Sequence, residues 1–173
     1  MQNISSAYPL HKVQGVICIL FLINHNSIKM IPIKLLMHIN SPKEEVFKAL
    51  TESDKLSKWY TTIVKGVFKL DEIINFEFVN FAEFKFKVTA ITQNESVHLE
   101  VVESEFDNVG HIMKYELDEN DGKTRVRYTY EGFAEMDDSY ANMNYSSAKY
   151  LESLRQYCQT GNGEAFGSPS YRV

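Results

Sequence analysis

Five successive stretches in the middle of the chain alternate apolar and polar residues, and no other feature restricts the fold as much. Ile74, Phe76 and Phe78 alternate with polar neighbours, and Phe84, Phe86, Val88 and Ala90 do so against Glu83, Lys85, Lys87 and Thr89. The same rhythm runs through Val97, Leu99 and Val101, then Met113, Tyr115 and Leu117. It ends with Val126, Tyr128 and Tyr130 against Arg125, Arg127, Thr129 and Glu131. A period of two buries one face of a strand and wets the other, the signature of an antiparallel sheet. Asn94-Glu95-Ser96 and Asn120-Asp121-Gly122 supply hairpin-type turns between strands. Two earlier strands are expected, one from Pro32 to Ile39 with Lys34 and His38 facing out, and one from Ile63 to Phe68.

A sheet with one apolar face needs a cover, and the stretch Asp138–Thr160 provides it. Tyr140, Met143, Ser147, Tyr150, Leu151, Leu154 and Cys158 recur at three- and four-residue steps, one face of a helix. Asp137 and Asp138 suit its N-terminus, Arg155 its last turns, and Gly161 a left-handed stop. Near the start, Ser41-Pro42-Lys43-Glu44 reads as a helix opening, with Ser41 as cap, Pro42 at the first helical position and Glu44 closing a capping box. Val46, Phe47 and Leu50 form its buried face, and a second short helix carries Leu56, Trp59 and Tyr60. The predicted order is strand, two short helices, about six further strands, long helix, which is an α+β arrangement.

The 173 residues are one domain's worth. Aromatics reach 13%, with 11 Phe and 10 Tyr, enough to fill a thick core or line an apolar cavity. A net charge of −5 argues against a general phosphate-backbone binder, so no nucleic-acid partner is expected. Cys18 and Cys158 stand far apart without metal-ligand spacing, and both are read as reduced thiols of a cytoplasmic protein. The apolar run from Val16 to Ile23 is too short to span a bilayer, so no stable membrane insertion is expected. It fits a weak signal or anchor, an accessory strand, or an extension outside the fold. Met30 precedes the first well-patterned element, which favours the extension.

Three stretches in this order resemble a known family. Ile39-Asn40-Ser41-Pro42-Lys43-Glu44-Glu45-Val46-Phe47-Lys48-Ala49-Leu50 with Leu56-Ser57-Lys58-Trp59-Tyr60, the hairpin Gly122-Lys123-Thr124-Arg125-Val126, and Tyr150-Leu151-Glu152-Ser153-Leu154 with Thr160-Gly161-Asn162-Gly163 carry the likeness. They are similar to the START-like, or SRPBCC, superfamily, in the branch named after the activator of the heat-shock chaperone ATPase. That resemblance implies the helix-grip fold, a curved antiparallel sheet of about six to seven strands wrapped on a long C-terminal helix, with two short helices after the first strand. The domain is expected over 31–166, with 1–30 as an extension and 167–173 as a flexible tail. Many members carry Gly-Trp where Ser146-Ser147 stand here, so the size of the family's pocket is not carried over.

The resemblance implies an apolar cavity between sheet and helix, and the expected function is binding of a small hydrophobic molecule there. From the sheet, the candidate lining residues are Phe76, Phe78, Phe84, Phe86, Met113, Tyr115, Tyr128 and Tyr130. From the helix they are Tyr140, Met143, Ser147 and Leu151, with Trp59 from the short helices. Core packing under the first helices is the favoured reading of Trp59, and the phenylalanines, Tyr128 and Tyr130 serve equally as core or as lining. The alternative is a co-chaperone-like protein–protein module stimulating a heat-shock chaperone ATPase, and an enzyme is the third reading. No catalytic residue, cofactor or metal is assigned. His38, His98 and His111 fall on different strands, and Glu116 and Glu131 take the parity of the solvated face, with Glu135 beyond the last strand.

Overall fold

The computed structural model describes residues 30–172. The Val16–Ile23 run and Cys18 lie outside the described residues. Within them the chain forms β1 (Ile31–Ile39), α1 (Lys43–Thr51), α2 (Ser53–Leu56), β2 (Ile63–Lys65) and β3 (Ile73–Phe78). It continues with β4 (Ala82–Thr92), β5 (Ser96–Glu103), β6 (Ile112–Asn120), β7 (Lys123–Phe133) and α3 (Asp138–Thr160). All seven strands join one antiparallel sheet in the order β1-β7-β6-β5-β4-β3-β2. The first strand therefore lies beside the last, and the rest follow as a meander. This is the α+β order that the alternation predicts and the helix-grip arrangement that the resemblance implies.

Alternation in sequence becomes alternation in burial. Ile74, Phe76 and Phe78 on β3, Val97, Leu99 and Val101 on β5, and Val126, Tyr128 and Tyr130 on β7 are all buried. Lys34 and His38 on β1 are exposed. Register shifts interrupt the ladders between Ile31 and Ile33, between Lys85 and Phe86, and between Val88 and Ala90. Such bulges bend strands and deepen the twist of a sheet. At the first of them Gly132 adopts φ +141°, and a Cβ there would run into the His111 ring. No L side chain fits that site.

Helix α3 begins and ends as its sequence suggests. The Asp137 carboxylate accepts the Tyr140 N–H at 2.8 Å, and Gly161 closes the helix at φ 78°. Ser147, Leu151, Ser153 and Leu154 are its buried residues. Three local expectations differ. Pro42, not Ser41, occupies the N-cap of α1, and no side chain caps that helix. Ser41 instead serves β7, its carbonyl accepting the buried Thr124 hydroxyl at 2.7 Å. Helix α2 stops at Leu56, so Trp59 and Tyr60 lie in the turns after it, and β2 stops at Lys65, short of Phe68.

The three stretches that carry the family resemblance meet in space. The buried Ser153 hydroxyl donates to the Trp59 carbonyl at 2.7 Å and accepts the Glu164 N–H at 2.7 Å. The Trp59 indole N–H donates to the Ala49 carbonyl of α1 at 2.8 Å. Gly163 passes so close that an added Cβ would stand 2.7 Å from the Lys58 carbonyl oxygen and 2.8 Å from the Trp59 Cβ. Phe166 then adds a short parallel bridge to Thr61. Residues 168–172 fold back on the segment that leaves α3, with the Ser170 hydroxyl on the Gly163 carbonyl and Arg172 on Glu164 at 2.8 Å. Ser153→Ala leaves the buried Trp59 carbonyl and the half-buried Glu164 N–H without their partner, a loss of about 1–3 kcal/mol for the buried group. Denaturant unfolding should show that loss with an unchanged slope, and a variant as stable as the parent would refute the bridging role.

Candidate functional site

The layer between the inner sheet face and α3 has two chemically distinct walls. On β3 and β4 the inward rings are phenyl groups. Phe76 meets Phe86 edge-to-face at 5.3 Å, and Phe78 meets Phe84 at 5.5 Å. On β6 and β7 the inward rings are phenols. Tyr115 and Tyr128 lie 5.1 Å apart, with Met113 and Tyr130 on the same face. The difference follows from side-chain choice at equivalent inward positions, because both pairs of strands use the same period of two.

Helix α3 roofs these walls with Tyr140, Met143, Ser147, Tyr150 and Leu151. The buried Ser147 hydroxyl donates to the Tyr128 hydroxyl at 3.1 Å. Tyr140 packs on Phe133 at 5.3 Å. Tyr60, which sequence reasoning did not place in the site, stands among Phe76, Phe78 and Tyr150 at 5.2, 5.6 and 4.7 Å. Its position directly after Trp59 was the available signal. Trp59 itself packs on Tyr60, with its N–H spent on α1.

A line of rings leads from this layer to the surface. Phe81 and Phe106 are 60% and 45% exposed and lie 5.7 Å apart. Phe106 stacks on Phe84 at 5.7 Å, while Phe81 approaches Phe166, which packs on Phe78 at 5.3 Å. Both exposed rings sit in turns, where strand alternation gives no information. Two surface clefts of about 360 Å³ each lie elsewhere. One is lined by Tyr145, Lys149, Glu152, Glu164 and Arg172 among others, the second by Asn40 to Lys43 with Glu119 and the Gly122–Thr124 turn.

Burial and ion pairing set the electrostatics of this face. Burial, then neighbouring phenols, pushes Tyr115 and Tyr128 well above the usual tyrosine range. Burial also raises Tyr60, and it carries Tyr130 to about 12 against the effect of the Asn108 side chain. These phenols stay protonated at neutral pH. Glu131 pairs with Lys114 at 2.7 Å, and Asp118 takes both Arg125 and Arg127, which hold it well below the usual carboxylate range. Glu116 and Glu135 are exposed. Among the described residues no group of three or more His, Cys, Asp or Glu could hold a metal ion. Cys158 is a free thiol that burial pushes up to about 12. Among the described residues no helix is long and apolar enough to cross a membrane.

This ring-lined face gripped by one long helix is that of a START-like protein. The sequence profile of the activator of Hsp90 ATPase homolog 1-like protein family matches residues 40–159, and the chain belongs to that family. The solved Aha1 dimer from Colwellia psychrerythraea is 29% identical, with 78% of this chain and 100% of that chain covered at a TM-score of 0.72. Protein SSP2350 from Staphylococcus saprophyticus is 17% identical over 77% of this chain and 95% of its own, at 0.66. Protein BH1534 from Bacillus halodurans is 18% identical over 75% and 98%, at 0.63. The comparison with curated proteins gave no match.

Two histidines carry a pH signature. Burial depresses His98, as does Lys114, against Glu116 and Glu131, and burial depresses His111 against Asp107. His98 Nε2 and His111 Nδ1 are buried and, among the described residues, have no hydrogen-bond partner. The folded state thus disfavours protonation, whereas the unfolded chain takes protons near pH 6.5. Stability is full above that value and falls as pH drops through it toward the folded pKa values. Proton NMR titration should place both imidazoles below 6.5, and thermal melts between pH 7.5 and 5 should decline with a slope that His98→Gln and His111→Gln flatten. Titration of both rings at or above 6.5 would contradict this.

Proposed function

We propose that the protein binds a small hydrophobic molecule between the inner sheet face and α3 and does no chemistry on it. The observation that carries this reading is partial exposure where closed packing is expected. Tyr60, Phe84, Tyr140, Met143 and Tyr150 belong to the walls and roof and pack on the core, yet each keeps accessible surface. Apolar walls with a few hydroxyls are the usual composition of a ligand pocket, and the aromatic line through Phe106 and Phe84 gives a way in. Protonated phenols and outward carboxylates fit a binder better than an enzyme. Native mass spectrometry of freshly purified protein should show bound mass, or the emptied protein should bind the neutral probe 1-N-phenylnaphthylamine saturably and more weakly after Phe84→Ala. A protein that is consistently empty and does not bind the probe would remove the idea.

A second reading rests on a different observation, the exposed pair Phe81 and Phe106. Large rings in solvent are characteristic of interaction surfaces. The relative from Colwellia psychrerythraea is described as an Aha1 dimer, and the family name refers to activation of a chaperone ATPase. On this reading the patch docks a protein, either a second copy or a heat-shock chaperone. Phe81→Glu with Phe106→Glu should lower the sedimentation coefficient at high protein concentration or abolish stimulation of the chaperone's ATPase. A monomeric parent that leaves the ATPase rate unchanged at saturation would exclude it.

A further inference from the structure

The two walls differ in one respect that bears on what they hold. At inward positions β3 and β4 place phenyl rings at Phe76 and Phe86, whereas β6 and β7 place phenols at Tyr115 and Tyr128. The phenolic hydrogens have little to bond with. Tyr128 accepts from Ser147, which leaves its own hydrogen free. Tyr115 donates only to the Met113 thioether at 3.5 Å, a weak acceptor. A buried donor without a good acceptor is costly, so the two under-used donors of Tyr115 and Tyr128, both on the β6–β7 wall, mark where an acceptor belongs.

The charge of that acceptor is also constrained. Among the described residues the buried polar side chains are Thr61, Thr124, Ser147 and Ser153, and none carries a charge. A carboxylate beneath α3 would meet phenols and no cation, and an unpaired buried ion costs far more than a buried hydrogen-bonded dipole. We propose that the ligand is a neutral molecule with a carbonyl-type acceptor on one edge, set against Tyr115 and Tyr128, and hydrocarbon on the opposite edge, set against Phe76 and Phe86. This rests on the ligand-binding reading above and adds the ligand's polarity, charge and orientation to it. Free fatty acids, whose polar end is an anion, are excluded by the same argument.

The test uses a matched pair of probes, the ketone 6-propionyl-2-(dimethylamino)naphthalene and its 6-propyl counterpart, with laurate as the anionic control. A neutral hydrogen bond is worth about 0.5–1.5 kcal/mol, so the ketone should bind roughly two- to tenfold tighter than the propyl compound. Tyr115→Phe with Tyr128→Phe should erase that preference by weakening the ketone alone. Phe76→Leu with Phe86→Leu should weaken both probes equally. The parent protein needs no variant for a second readout, since the ketone C=O stretch should fall to lower wavenumber in the complex than in alkane solvent. Equal affinity for the two probes, an unshifted stretch, a preference that survives both tyrosine changes, or laurate binding tighter than the ketone would each overturn the polarity argument while leaving a binding site. Failure of both neutral probes to bind the folded parent would instead overturn the binding reading itself, and the ligand class with it.

Discussion

One hydroxyl joins the parts of the fold that sequence order keeps apart. Ser153 lies on the buried face of α3 and bonds at once to the turn after α2 and to the segment that leaves α3. Trp59 passes the connection on to α1 through its indole N–H. A helix lying on a sheet by apolar contact alone can slide or rotate, because the hydrophobic effect has no direction. Two hydrogen bonds from a single buried oxygen do have direction, and they fix where α3 sits along its own axis. Ser147 and Leu151, within two helical turns of it, therefore face the phenols at a set height. Gly163 serves the same junction by omitting a side chain where the Trp59 backbone already occupies the space.

The sheet was legible in the sequence because burial on one face imposes a period that survives in composition. The inward residues from Ile74 to Val88 and from Val97 to Tyr130 fall at their expected parity, while the bulge between Val88 and Ala90 turns Ala90 out beside His98 and sets Ile91 inward beside Val97; α3 begins and ends where Asp137 and Gly161 place it. Capping at α1 was not legible. Ser41 has a capping residue's chemistry, but β7 claims its carbonyl through Thr124, a contact between residues far apart in the chain. Ser153 escaped for a related reason, since a serine within an amphipathic stripe looks like a wet position until its two partners are known. The exposed rings Phe81 and Phe106 sit in turns, where no periodicity applies.

The candidate site was legible as a set of rings and not as a geometry. Phe76, Phe86, Tyr115 and Tyr128 could be listed from parity. Their division into a phenyl wall and a phenol wall depends on strand order, since β3 and β4 are neighbours and so are β6 and β7. Tyr60 entered the site only once α2 proved to end at Leu56, which frees the following turns to carry the ring in among Phe76, Phe78 and Tyr150. Family membership adds the fold and a range of precedents. The polarity of the space comes from these residues alone.

The pairing of β1 with β7 has a bearing on how the chain is made. Ile31 pairs with Phe133 and Ile39 with Thr124, so the first strand completes its ladder only when the last strand exists. During synthesis β1 leaves the ribosome long before its partner, and the meander from β3 to β6 can form hairpin by hairpin while β1 waits. Closing so long a loop is slow, and until it closes an apolar strand with an unpaired edge is exposed to other chains. Pro32 and the outward Lys34 and His38 lie on that waiting strand. A missing ladder donor and a side chain of fixed charge on an open edge both discourage pairing with strangers. The residues that look decorative on the finished surface of β1 are thus suited to protecting the nascent chain.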